Sequence, residues 1–194
     1  MTLKTDHKKR NRFAVLVYLV AALWIVEGIN FFTGHKLCSW GILPRTLSGL
    51  VGIPLSPFLH SSIMHLVINT GPMVILGGLI ILGNKKLFLE LTFLIVILGG
   101  VMLWIIGRPS YHVGASGLVF GYFGYLVSKG IFKISILNLA VSMGTLFVYG
   151  GLLWGLLPVF SHISWEGHLC GLVAGIGTAF IERYAGKKAA FYSK

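Results

Sequence analysis

Negative charge is what this chain has least of: five Asp and Glu stand against sixteen Lys and Arg in 194 residues, and charged residues of both signs make up only 11%. A soluble domain needs a surface with roughly a quarter or more of its residues charged. That shortage, with 56% hydrophobic residues and a mean hydropathy of +0.86, excludes an ordinary water-soluble fold and indicates a polytopic membrane protein. Cysteine is nearly absent too. Cys38 and Cys170 supply neither a disulfide framework nor a CxxC metal motif. No HExxH occurs, and no carboxylate stands at ligand spacing from His60, His65, His112, His162 or His168, so metalloprotease and metal-carrier patterns are missing. There is no linker rich in Ser or Pro and no repeat, so the expectation is one domain over residues 1–194. Its ends, 1–12 and 183–194, are basic. The apolar run after the basic N-terminus is too long for a signal-peptide core and lacks a cleavage site, and it reads as a retained first helix.

What is present is a succession of apolar segments: Phe13 to Phe32, Phe58 to Leu82, Leu87 to Ile106, Val113 to Val127, Ile134 to Leu157 and Ile163 to Ile181. Six crossings would put both termini on one side. With that side cytoplasmic, thirteen of the sixteen Lys and Arg are inside and only Lys36, Arg45 and Arg108 are outside, as the positive-inside rule requires. The net charge of +11 is thereby read as topology and attraction to the lipid bilayer, not as a nucleic-acid surface, since no basic patch interleaved with aromatics occurs. The first outer loop, Thr33 to Pro57, is too apolar to float in water and is expected to pack on the bundle at the interface.

Polar residues inside these segments need a reason. Counting back from the inner ends at about 1.5 Å per residue places Asn69, Ser116 and His168 roughly 17–20 Å up, some 10 Å below the outer surface of a core about 30 Å thick. The fourth segment, at about fifteen residues, reaches only some 22 Å and cannot cross alone. Its outer end must therefore begin within the membrane. Arg108-Pro109-Ser110-Tyr111-His112 would dip inward to line a wet cavity. Gly117, Gly121 and Gly124 on that segment, and Gly171 and Gly175 beside His168, let two helix backbones approach closely.

Taken singly, Ser116 reads as well as a small junction residue or helix cap, and His168 as a histidine satisfied in a polar pocket. Together, at one depth on glycine-lined faces, they form a candidate dyad in which Ser116 attacks a carbonyl and His168 takes its proton. His65 and Asn69, spaced i, i+4, share a face and could stabilise an oxyanion with the Ser116 N–H. His60 reads as structural. Glu166, two residues before His168, reads as a loop or interfacial charge and not as a third member.

These residues resemble the rhomboid family of intramembrane serine proteases. The resemblance rests on His60-Ser61-Ser62-Ile63-Met64-His65 through Asn69, on Gly114-Ala115-Ser116-Gly117, and on Gly167-His168 with Gly171 and Gly175, in that order. It implies an all-α six-transmembrane-helix bundle with a short central fourth helix and a membrane-associated first outer loop. Ser116 is implied as nucleophile, His168 as base, and His65, Asn69 and the Ser116 N–H as the oxyanion hole, with His60, Gly114, Gly117, Phe120 and Gly171 in support. Neither cofactor nor metal is implied. Substrates would be other transmembrane proteins cut near their outer ends, in the plasma membrane of a bacterium. The alternative is a catalytically silent relative that binds or escorts membrane clients. Two departures stand out. Where many members carry a Trp-Arg pair before the second segment, this chain has Gly52-Ile53-Pro54. Where many have a tyrosine one turn after the serine, it has Phe120. The segment from Ile134 and the loop Pro158 to Trp165 are the expected gate, because a loop over the site is the part most easily displaced.

Overall fold

The computed structural model describes residues 3–159 and 163–192, so residues 160–162 of the expected gate loop, His162 among them, lie outside the described part. Among the described residues every regular element is helical. The chain runs through α1 (Leu3–Phe32), α2 (Leu47–Leu55), α3 (Ile63–Gly83), α4 (Lys85–Leu94), α5 (Gly100–Ile106), α6 (Ser116–Phe132), α7 (Ile136–Tyr149) and α8 (Trp165–Tyr192). A π-helical turn, Ile95–Gly99, joins α4 to α5. Among the described residues four stretches are long and apolar enough to cross a membrane: Arg12–Phe32, Ile63–Gly83, Lys86–Ile106 and Ile136–Leu156. Each has 21 residues, about 31 Å at the helical rise.

The core is built around α6. Tyr122, Tyr125 and Phe123 are among the largest fully buried side chains, and burial extends around the helix from Leu118 to Leu126. A helix apolar on every face belongs in the middle of a bundle. Glycine sets how closely α8 approaches it. A Cβ on Gly171 would lie 1.9 Å from the Gly117 carbonyl oxygen, and one on Gly175 would lie 1.9 Å from that of Gly121. Any side chain there would force the helices apart. By contrast α7 is thinly packed, with Ile136, Phe147 and Val148 exposed.

Helix bounds differ from the expected apolar segments at several ends, and two of the differences bear on the bundle. The fourth segment does not stop at Val127, because Lys129 continues the helix by donating from Nζ to Tyr125 Oη, which in turn donates to Glu182. The fifth is not one α-helix: at Gly150 the α-helical pattern gives way to a 3-10 helix, Gly150–Leu156. Paired glycines favour that change, since they hold the α conformation weakly.

The stretch between α1 and α3 has anchors of its own. Thr46 caps α2 by accepting from Gly49 N–H. Ile42 and His112 form an isolated antiparallel bridge. Trp104 Nε1 donates to the Thr46 carbonyl at 2.8 Å, while Arg45 donates to the carbonyls of Ile105 and Gly107 at 3.0 and 2.8 Å. A Trp and an Arg thus fasten the loop to the C-terminal end of α5, where unpaired carbonyls attract a cation. Ile53 itself packs against Gly100.

Candidate active site

Ser116 is the first residue of α6, so its backbone N–H is one of the unpaired donors at a helix start. The chain reaches it through Gly114 at φ +114°, a conformation that disfavours a side chain. Space requires glycine there as well: a Cβ would sit 2.6 Å from His65 Cε1 and 2.8 Å from its Nε2. The imidazole edge of His65 therefore lies directly against the turn that presents the serine. Gly114 N–H is held by the Ser56 carbonyl at 2.9 Å. One residue on, Ala115 N–H donates to His60 Nε2 at 3.3 Å. His60 is fully buried, its carbonyl accepts from Asn30 at 2.8 Å, and its ring meets His65 edge-on at 5.0 Å. It props the loop from beneath and does not line the cavity.

The α3 face brings two further polar groups. Ser62 caps the helix by accepting from His65 N–H at 3.1 Å, which fixes where α3 begins. Ser61 Oγ lies 3.3 Å from His65 Nδ1. With Ser61 donating, His65 carries its proton on Nε2, the edge nearest Gly114. One turn later Asn69 Nδ2 donates to the His65 carbonyl at 2.8 Å, leaving the second amide proton for another acceptor.

On α8, His168 Nδ1 bonds the Gly155 carbonyl at 2.8 Å. A carbonyl only accepts, so the proton is on Nδ1 and Nε2 is left as a base. The ring stacks on Phe120, with centroids 4.2 Å apart and planes 8° from parallel. Ser116, His168, His65, Asn69 and Phe120 all line one cavity of about 700 Å³. Among the described residues no direct hydrogen bond joins Ser116 to His168; such bonds commonly tighten only when substrate binds. Gly117 and Gly171 lie behind the pair, where α6 and α8 touch.

Arg108, Ser110 and Tyr111 also line the cavity, so the loop before α6 does open onto it. Glu166 corrects the sequence reading. It lies in the first turn of α8, 4% exposed, with Oε1 3.6 Å from Arg108 Nε. A carboxylate so buried stays only because a guanidinium faces it. Missed altogether was the Gly155 carbonyl, which no side-chain pattern announces.

Comparison with known proteins shows the family of the chain. The Rhomboid domain model matches residues 47–185. An uncharacterised protein of Mycobacterium tuberculosis is 38% identical over 190 residues, covering 91% of this chain and 79% of its own. One from Mycobacterium leprae is 36% identical over 191 residues, covering 92% and 76%. A protein of Acanthamoeba polyphaga mimivirus that bears the rhomboid name is 27% identical over 168 residues, covering 82% and 84%. The chain, helical throughout its described elements, is thus a multi-pass membrane protein, and it belongs to the rhomboid family.

Proposed function

We propose that the chain is an intramembrane serine endopeptidase working through a Ser116–His168 dyad. The observation that supports this best is the bond from His168 Nδ1 to the Gly155 carbonyl, because it leaves Nε2 unprotonated on a residue that shares a cavity with Ser116. In most serine hydrolases a carboxylate sets that tautomer. Here a backbone carbonyl fills the role.

The steps follow from this geometry. Ser116 Oγ attacks the scissile carbonyl carbon while His168 Nε2 accepts the hydroxyl proton. Charge collects on the former carbonyl oxygen, which meets the Ser116 N–H at the positive end of α6, the free Asn69 amide proton and His65 Nε2–H. The imidazolium, stacked on Phe120, returns its proton to the leaving amine. Water entering past the loop of Arg108 to Tyr111 then attacks the acyl-enzyme, with His168 again as base. Substrates are transmembrane proteins whose strand unwinds into the cavity. The reading takes residues 1–194 as one domain with six crossings and basic cytoplasmic ends at 1–12 and 183–194, in a bacterial plasma membrane.

Labelling of the purified protein with a fluorophosphonate probe tests the proposal. Wild type should label, and Ser116→Ala and His168→Ala should not. Equal labelling of all three, or none in wild type, would instead favour a silent, client-binding relative.

A further inference from the structure

Each half of the candidate dyad is preceded by a short polar stretch, and the two stretches are bonded to one another. Before Ser116, the loop leaving α5 contributes Arg108 and His112. Before His168, Ile163 and Ser164 just ahead of α8 and Glu166 in its first turn contribute. Arg108 Nε lies 3.6 Å from Glu166 Oε1, and another guanidinium nitrogen donates to the Ile163 carbonyl. His112 Nδ1 lies 2.6 Å from Ser164 Oγ, and its Nε2 lies 3.0 Å from the Arg108 carbonyl.

The proton directions are set by what each group can do. The Arg108 carbonyl can only accept, so His112 is protonated on Nε2 and its Nδ1 accepts from the Ser164 hydroxyl. Ser164 Oγ in turn accepts from Gly167 N–H at 3.3 Å, and the Ser164 carbonyl accepts from His168 N–H at 3.1 Å. A continuous path of bonds therefore runs from the loop four residues before the serine to the backbone of the histidine. His112 and Glu166 are 3% and 4% exposed, while the Arg108 side chain, about one third exposed, reaches them from the cavity wall.

We infer that Arg108–Glu166 and His112–Ser164 form a strut that fixes the spacing of nucleophile and base, and that Arg108 and Glu166 are positioning residues for the dyad. A buried ion pair usually adds little net stability over an apolar replacement of the same volume, so stability is a poor reason for one beside a reactive centre. Geometry is a better reason, since an error of about 1 Å between reacting groups can cost on the order of a hundredfold in rate. Neither residue touches the reacting atoms. Their effect passes through the loop and the first turn of α8.

The inference rests on the dyad reading, and the test separates the two. Wild type, Ser116→Ala, Glu166→Gln, Arg108→Gln, Arg108→Lys and the Arg108→Gln/Glu166→Gln double variant are compared for probe labelling, for kcat and KM on a model transmembrane substrate, and for melting temperature. Failure of wild type to label, or labelling of Ser116→Ala, would end the dyad reading itself. With that reading intact, and assayed well below each variant's melting temperature, Glu166→Gln and Arg108→Gln should each lower kcat and the labelling rate about tenfold at nearly unchanged KM, although Arg108→Gln, which leaves the Glu166 carboxylate without its partner, should also melt lower. The double variant should be no slower than either single one, and Arg108→Lys should recover part of the rate. Wild-type rates in both single variants, losses that multiply in the double one, or losses that follow melting temperature without rescue by Lys would overturn the strut.

Discussion

The ring of Phe120 lies parallel to the His168 imidazole, 4.2 Å away and one helical turn beyond Ser116. Aromatic stacking holds the base in one rotamer, and the ring face favours the imidazolium that forms during proton transfer. Phe120→Ala should reduce kcat about tenfold, while Phe120→Tyr keeps the stack and should cleave a model substrate at close to the wild-type rate. A tyrosine variant as slow as the alanine one would show that the stack is not what matters.

Gly155 should tolerate nothing larger. A Cβ there would lie 3.0 Å from Phe120 Cζ and 3.1 Å from His168 Nδ1, so even alanine pushes on both rings at once. The bond that sets the His168 tautomer runs from the same residue. Gly155→Ala is expected to lower kcat by tenfold or more, with melting temperature little changed because the surrounding 3-10 helix buries no residue fully. Wild-type turnover in this variant would remove Gly155 from the mechanism.

Asn69 separates an oxyanion role from a merely structural one. Its amide already bonds the His65 carbonyl within α3, which any helix could forgo at small cost. Only the second proton is available for substrate. Asn69→Ala should slow cleavage tenfold or more at unchanged melting temperature, in line with losing one oxyanion donor. Equal turnover would reduce Asn69 to an intrahelical clamp.

Much of this site is legible in sequence because polar residues stand out in apolar helices. Ser116, His168 and Asn69 could be placed at one depth from helix rise alone, His65 followed from its i, i+4 spacing to Asn69, and Gly171 and Gly175 marked the face where α8 meets α6. Glu166 was visible as a charge but not as half of a pair, since its partner Arg108 comes from a different loop and no local spacing connects them. The end of α6 was misread for a similar reason. Ser128-Lys129-Gly130 looks like a terminus until Tyr125 and Glu182 supply Lys129 with partners. Gly155 acts through a main-chain carbonyl, which every residue has. Its place follows only from the switch of α7 into a 3-10 helix.

His112 gives the strut a pH dependence of known sign. Burial chiefly holds its imidazole below the usual histidine value of 6.5, and the Arg108 guanidinium pushes the same way; the Arg108 carbonyl and Glu166 pull partly back. Between the ordinary and the folded value the unfolded chain binds a proton that the folded one refuses, so stability falls as pH drops through that interval. Protonated His112 would also place an N–H against the hydroxyl that now donates to it. His112→Gln offers an amide that can accept from Ser164 and donate to the Arg108 carbonyl without titrating. Melting temperature in detergent should decline below about pH 6.5 in wild type and decline less in His112→Gln. Identical slopes in the two proteins would assign the acid sensitivity to other groups.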